Sequence, residues 1–106
     1  MKYEEFEKQV IDTFNRMHFV ESCDEGFIEA GADADVGMIL AESFKRKFHI
    51  KFTHNRGYYT SREKLMQMFE ADLDNILIEA LNSYNDIMDK YNVVPMQSRP
   101  FSLKIF

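Results

Sequence analysis

The sequence predicts an α+β fold in a single domain spanning 1–106, and three observations carry that reading. Tyr3, Phe6, Val10, Phe14 and Met17 recur at helical spacing. Phe48, Ile50 and Phe52 alternate with His49, Lys51 and Thr53, as in a half-buried strand. The last residues, "FSLKIF", alternate again. At 106 residues, 45% hydrophobic, with ten Phe and five Tyr, the chain can fill a real core.

The N-terminal helix is placed at about 3–19, with Glu4, Glu5 and Glu7 in the first turns, where the positive end of the helix dipole favours them. Residues 20–35 read as a loop, with one short strand at Phe27–Glu29, because Gly26, Gly31 and several Asp break any period. A middle helix is expected at about 34–46. Asp33 is suited to its N-cap, Asp35 to its first turn, and Lys45, Arg46 and Lys47 to its C-terminal dipole. The alternative replaces it with strands, since Val36, Met38 and Leu40 also alternate. The strand at 48–53 then runs into "HNRG", a turn in which Gly57 suits a positive φ.

"TSRE" reads as a capping box, Thr60 capping and Glu63 reaching back. From there Leu65, Phe69, Leu73, Ile76, Ala80, Tyr84, Ile87 and Tyr91 keep helical spacing, which predicts one long C-terminal helix over about 61–91. Such a helix would be roughly 45 Å long, against a diameter of about 26–35 Å for a globule of this size. The excess predicts a homodimer on Ile76, Ala80, Tyr84, Ile87 and Tyr91. Asn92 and Pro95 end the helix, and Pro100 opens a closing strand over 101–105, expected to pair with 48–53.

Charge is the most informative feature. The net charge is −5, but residues 21–42 hold seven acids and no base, 43–62 six bases and no acid, and 65–89 six acids and no base. The basic block carries aromatics, so Lys45, Arg46, Lys47, Lys51, Arg56 and Arg62, with Tyr58 and Tyr59 for stacking, form a candidate nucleic-acid surface. Against that, no sheet-surface aromatic signature or GXXG loop is present, and a net of −5 with +6 in the block leaves −11 elsewhere to repel a polyanion. The plainer account pairs the block with the acidic segment 21–42 or an acidic helix face.

Chemistry finds little support. Asp33 and Asp35 are spaced as the first ligands of a calcium loop, but Gly37 and the missing later Glu break the match. The histidines do not share metal-ligand spacing with Cys23. Three acids around Cys23 would raise a thiol pKa, and there is no nucleophile elbow or phosphate loop. No catalytic residue, metal or cofactor is therefore assigned. A lone cysteine fits a reducing compartment, no apolar leader or span is evident, and a soluble, cytoplasmic protein away from membranes is expected.

The leading expectation is thus a non-enzymatic protein-binding module, an inhibitor, antitoxin or adaptor that occludes a basic partner. Its acidic contact residues would be Asp24, Glu25, Glu29, Asp33, Asp35, Asp72, Asp74, Asp86 and Asp89. The competing expectation is a nucleic-acid-binding protein that uses 45–62.

Overall fold

The computed structural model describes residues 1–22, 34–71, 75–95 and 103–106. Among these the order is α1 (Tyr3–Ser22), α2 (Ala34–Lys47), β1 (Lys51–Thr53), β2 (Gly57–Thr60), α3 (Arg62–Ala71), α4 (Ile76–Lys90) and β3 (Lys104–Ile105). The fold is α+β, as the sequence predicts. The expected strand at Phe27–Glu29 and the cap at Asp33 lie outside the described residues. No helix among the described residues is long and apolar enough to cross a membrane.

α1 is the centre of the packing. Of its predicted stripe, Phe6, Val10, Phe14 and Met17 are buried and Tyr3 is half-buried against the core; Thr13 and Val20 extend the buried row. α2, α3 and α4 all pack on it. The aromatics interlock: Phe6 lies 5.1 Å from Phe69 and 6.1 Å from Phe48, and Phe44 meets Phe48 at 4.7 Å and Tyr84 edge-on at 5.5 Å. Edge-to-face and offset contacts of this kind add to what burial alone contributes. One buried polar link ties α1 to α4: the Thr13 hydroxyl donates to Asn85 Oδ1 at 3.0 Å, and Asn85 Nδ2 donates to the Leu81 carbonyl.

The middle segment is a helix, not strands, with Asp35 in its first turn and Lys45, Arg46 and Lys47 in its last. It ends in a Schellman motif. His49 N donates to Arg46 O and Ile50 N to Lys45 O, with His49 at φ 55. The same pattern closes α4, where Asn92 at φ 54 takes the left-handed position. Glycine is the usual residue there, and Asn and His are among the other side chains enriched in this conformation.

The strand expected at 48–53 is shorter than its alternation suggested. Phe48 belongs to the helix end and Ile50 is buried beside it, but Phe52 is 47% exposed. The Schellman turn consumes the first half of the alternating run, so β1 begins only at Lys51. β1 and β2 form a hairpin in which Lys51 faces Tyr59, Phe52 faces Tyr58 and Thr53 faces Gly57. The turn falls at 54–56 as expected, with Gly57 at φ 70 and Arg56 N donating to Thr53 Oγ1.

The expected pairing of 48–53 with 101–105 is overturned. β2 stands between β1 and β3, antiparallel to the first and parallel to the second, with Tyr59 beside Lys104 and Thr60 beside Ile105. The N-cap falls one residue later than predicted, at Ser61, which puts Lys64 and not Glu63 at the third helical position, so the reciprocal arm of a capping box is lost. Thr60 is the last residue of β2 and gives its hydroxyl proton to the Phe48 carbonyl; Ser61 is the residue whose Oγ accepts from Lys64 N.

The single helix expected over 61–91 is two helices. α3 ends at Ala71 and Asn75, at φ 61, stands before α4 in the left-handed region. A straight rod of roughly 45 Å exceeds the largest dimension of the molecule, 37 Å. The apolar spacing stays in phase across the break, which is why periodicity alone cannot reveal it.

Candidate nucleic-acid interface

The sheet has an inner and an outer face, set by side-chain alternation. Tyr58, Thr60 and Ile105 point inward: Thr60 is buried, and Tyr58 and Ile105 pack on the core. Lys51, Tyr59 and Lys104 are register partners across all three strands, so they form one row on the outer face. Neighbouring strands lie about 4.8 Å apart, which sets the two lysines about 10 Å from each other with the ring between them.

One end of this row opens into a concavity of about 350 Å³ lined by His49, Lys51, Arg56, Tyr59, Thr60, Ser61, Lys64 and Phe106. A second, of about 430 Å³, lies on the hairpin turn and shares Arg56 and Tyr59 with the first. The two make one continuous track. Arg56 sits over the Phe106 ring at 5.6 Å, and Tyr59 meets that ring edge-on at 6.3 Å. Among the described residues no acidic side chain lines either concavity, and Lys51, Arg56 and Lys64 make no ion pair.

Only part of the basic block predicted from sequence reaches this track. Lys51, Arg56 and Tyr59 do. Lys45 instead lies 3.7 Å from Glu42 and over the Tyr58 ring, and Arg62 reaches back to Glu7 on α1 at 2.9 Å. That pair holds the Arg62 guanidinium above its ordinary value, chiefly through the hydrogen bond to Glu7 and then through its charge. Beside it, the Tyr3 hydroxyl is pushed up, first by burial and then by the charge of Glu7. Arg46 and Lys47 are exposed at the end of α2. Tyr58 belongs to the inner face.

His49, Ser61, Lys64, Lys104 and Phe106 were not singled out by sequence reasoning. Alternation in the final strand put Leu103 and Ile105 on one side and therefore Lys104 on the other. Nothing local marked the other four, because they meet only once β2 is placed between β1 and β3.

Of the expected acidic contact residues, Asp35, Asp86 and Asp89 lie among the described residues; all three are exposed, and Asp89 pairs with Arg16 at 2.8 Å. Asp24, Glu25, Glu29, Asp33, Asp72 and Asp74 lie outside the described residues. Of the expected dimer face, Ile76 is 59% exposed, whereas Ala80 is half-buried and Tyr84, Ile87 and Tyr91 pack on the core of their own chain. The residues of α4 buried most deeply are Leu81 and Met88. With α4 15 residues long, the length that motivated a dimer is gone.

Among the described residues no group of three His, Cys, Asp or Glu side chains is placed to hold a metal ion. No protein-family model matches the chain, and neither a curated protein nor a solved structure does.

Proposed function

We propose that this protein is a non-enzymatic binding module for single-stranded nucleic acid, and that the outer face of its sheet is the contact surface. The observation that carries the reading is the row Lys51–Tyr59–Lys104: a stacking ring on the central strand with a cation on either side. Single-strand binders combine an aromatic platform for bases with cations that track the backbone.

The net charge of −5 does not oppose this. At physiological ionic strength charges more than about 8 Å apart are largely screened, so the local field outweighs the total. Glu7, Glu42 and Asp89 are also engaged by Arg62, Lys45 and Arg16. Occlusion of a basic protein through the acidic surface ranks second. Its support is that Asp35, Asp86 and Asp89 are exposed.

Anisotropy titration of a labelled single-stranded 12-mer of uridine, repeated over a range of salt, tests the reading. Binding should weaken as salt rises, and each of Lys51→Gln and Lys104→Gln should reduce the log–log slope by about 0.7. Absence of binding at ~100 µM protein and low salt would sink the proposal.

A further inference from the structure

The sheet row explains how bases and internal phosphates are met, but not why one end of it deepens into a concavity with additional cations. Lys51, Arg56 and Lys64 approach that space from β1, the hairpin turn and the first turn of α3, and the His49 imidazole from the end of α2. Phe106 walls it and lies under Arg56, which restricts the guanidinium before any ligand arrives. Ser61 adds a hydroxyl. At about 350 Å³ the space is the size of a small-ligand pocket and not of a duplex groove.

His49 is placed by the Schellman motif that ends α2: the chain turns there at φ 55 and the imidazole lines the concavity. Histidine, like the Asn92 that closes α4, is among the residues enriched in this conformation.

We propose that this concavity receives a phosphate monoester, the terminal phosphate of a nucleic-acid strand, so that the module grips a strand by its end. The inference rests on the single-strand reading above. An internal diester carries one negative charge, whereas a terminal monoester carries about −1.5 to −2 and a further acceptor oxygen. Converging cations from several elements therefore favour the monoester. The rest of the strand continues past Tyr59 along the row, or over the hairpin turn through the second concavity.

The test is a comparison of one single-stranded 12-mer in three forms: 5′-phosphorylated, 3′-phosphorylated and with both ends hydroxyl. A phosphate on one end should tighten binding by about 10- to 100-fold, the range of one or two charge-assisted hydrogen bonds. Lys64→Gln should bring the affinity ratio of the phosphorylated to the hydroxyl-ended strand toward one, beyond any uniform weakening of both strands. His49→Gly should also reduce that preference, in a protein that circular dichroism shows to be folded. Inorganic phosphate should compete for the phosphorylated strand's advantage alone.

Equal affinity for all three strands overturns the terminal-phosphate site and leaves the sheet-face reading standing. Failure of all three to bind overturns the sheet-face reading and this inference with it. A folded His49→Gly protein that keeps the full phosphate preference removes His49 from the site, and if Lys64→Gln keeps it too the site is overturned.

Discussion

α1 and the three-stranded sheet are built on opposite plans. In α1 the positions facing the other helices, Phe6, Val10, Thr13, Phe14, Met17 and Val20, are all buried, and the side turned to water carries Glu4, Glu5, Lys8 and Asp12. Every side chain on its inner stripe serves packing. In the sheet each strand is only two to four residues long, and alternation divides it evenly. Tyr58, Thr60 and Ile105 go to the core, while Lys51, Tyr59 and Lys104 go to solvent. Elements too short to stabilise themselves persist because one face is anchored, and that anchoring leaves the other face available for recognition. Stability and the proposed recognition would thereby be carried by different residues, sometimes by sequence neighbours.

The largest break of this contrast is expected from Phe6→Ala. Phe6 is fully buried and touches Tyr3, Phe48 and Phe69. Its truncation should cost about 3–5 kcal/mol, a large share of the 5–15 kcal/mol typical of a domain. Urea unfolding followed by circular dichroism measures it. A loss below about 1 kcal/mol would mean that α1 is not the centre of the packing.

The same contrast explains what was legible in the sequence. Where one periodicity holds over many residues, as in α1, it names the buried face correctly. The Phe48–Phe52 run fails because two structures share it: a helix C-terminus takes Phe48 and His49, and the strand starts at Lys51. The 61–91 run fails for the converse reason, since the spacing of two helices stays in phase across the break before Asn75. The sequence offers Tyr58 and Tyr59 alike for stacking because it does not carry the register of β2; a strand can turn only one of two neighbours outward. The candidate site is the least legible part. It is assembled by a parallel pairing between β2 and β3, some 45 residues apart in sequence, and no local pattern encodes that. What sequence did supply was the charge segregation, and Lys51, Arg56 and Tyr59 within it.

A pair of smaller changes sharpens the comparison within β2 itself. Tyr58→Ala removes a ring that packs on Phe14 at 4.9 Å edge-on and on Phe52 at 4.9 Å. It should lower stability by about 2 kcal/mol. Tyr59→Ala should leave the melting temperature near that of the parent and weaken single-strand binding by about 1–3 kcal/mol. Thermal melts and anisotropy on both variants give a two-by-two result. Equal effects of the two changes on binding would show that the faces are not separated as described.

The smallest expected effect lies where the core meets the charged surface. Tyr3 packs edge-on against Phe69 at 6.0 Å, and its hydroxyl sits beside the Glu7–Arg62 pair. Burial, and secondarily the Glu7 charge, push the phenol above its ordinary value. The folded state therefore holds that proton more tightly than the unfolded chain. The resulting stability is fully present below the unfolded value of about 10. It is lost as pH rises through the higher folded value, because the unfolded state then releases its proton first. Tyr3→Phe abolishes this one titration and keeps the ring contacts with Phe6 and Phe69. The difference in unfolding free energy between the parent and Tyr3→Phe should be flat up to pH ~10 and then shift in favour of the variant. Urea titrations at several pH values up to ~11 measure it, with circular dichroism to confirm that both proteins remain folded without denaturant. Parallel losses in the two proteins would show that the phenol feels neither burial nor the Glu7 charge, and that this end of α1 is as open to solvent as the outer face of the sheet.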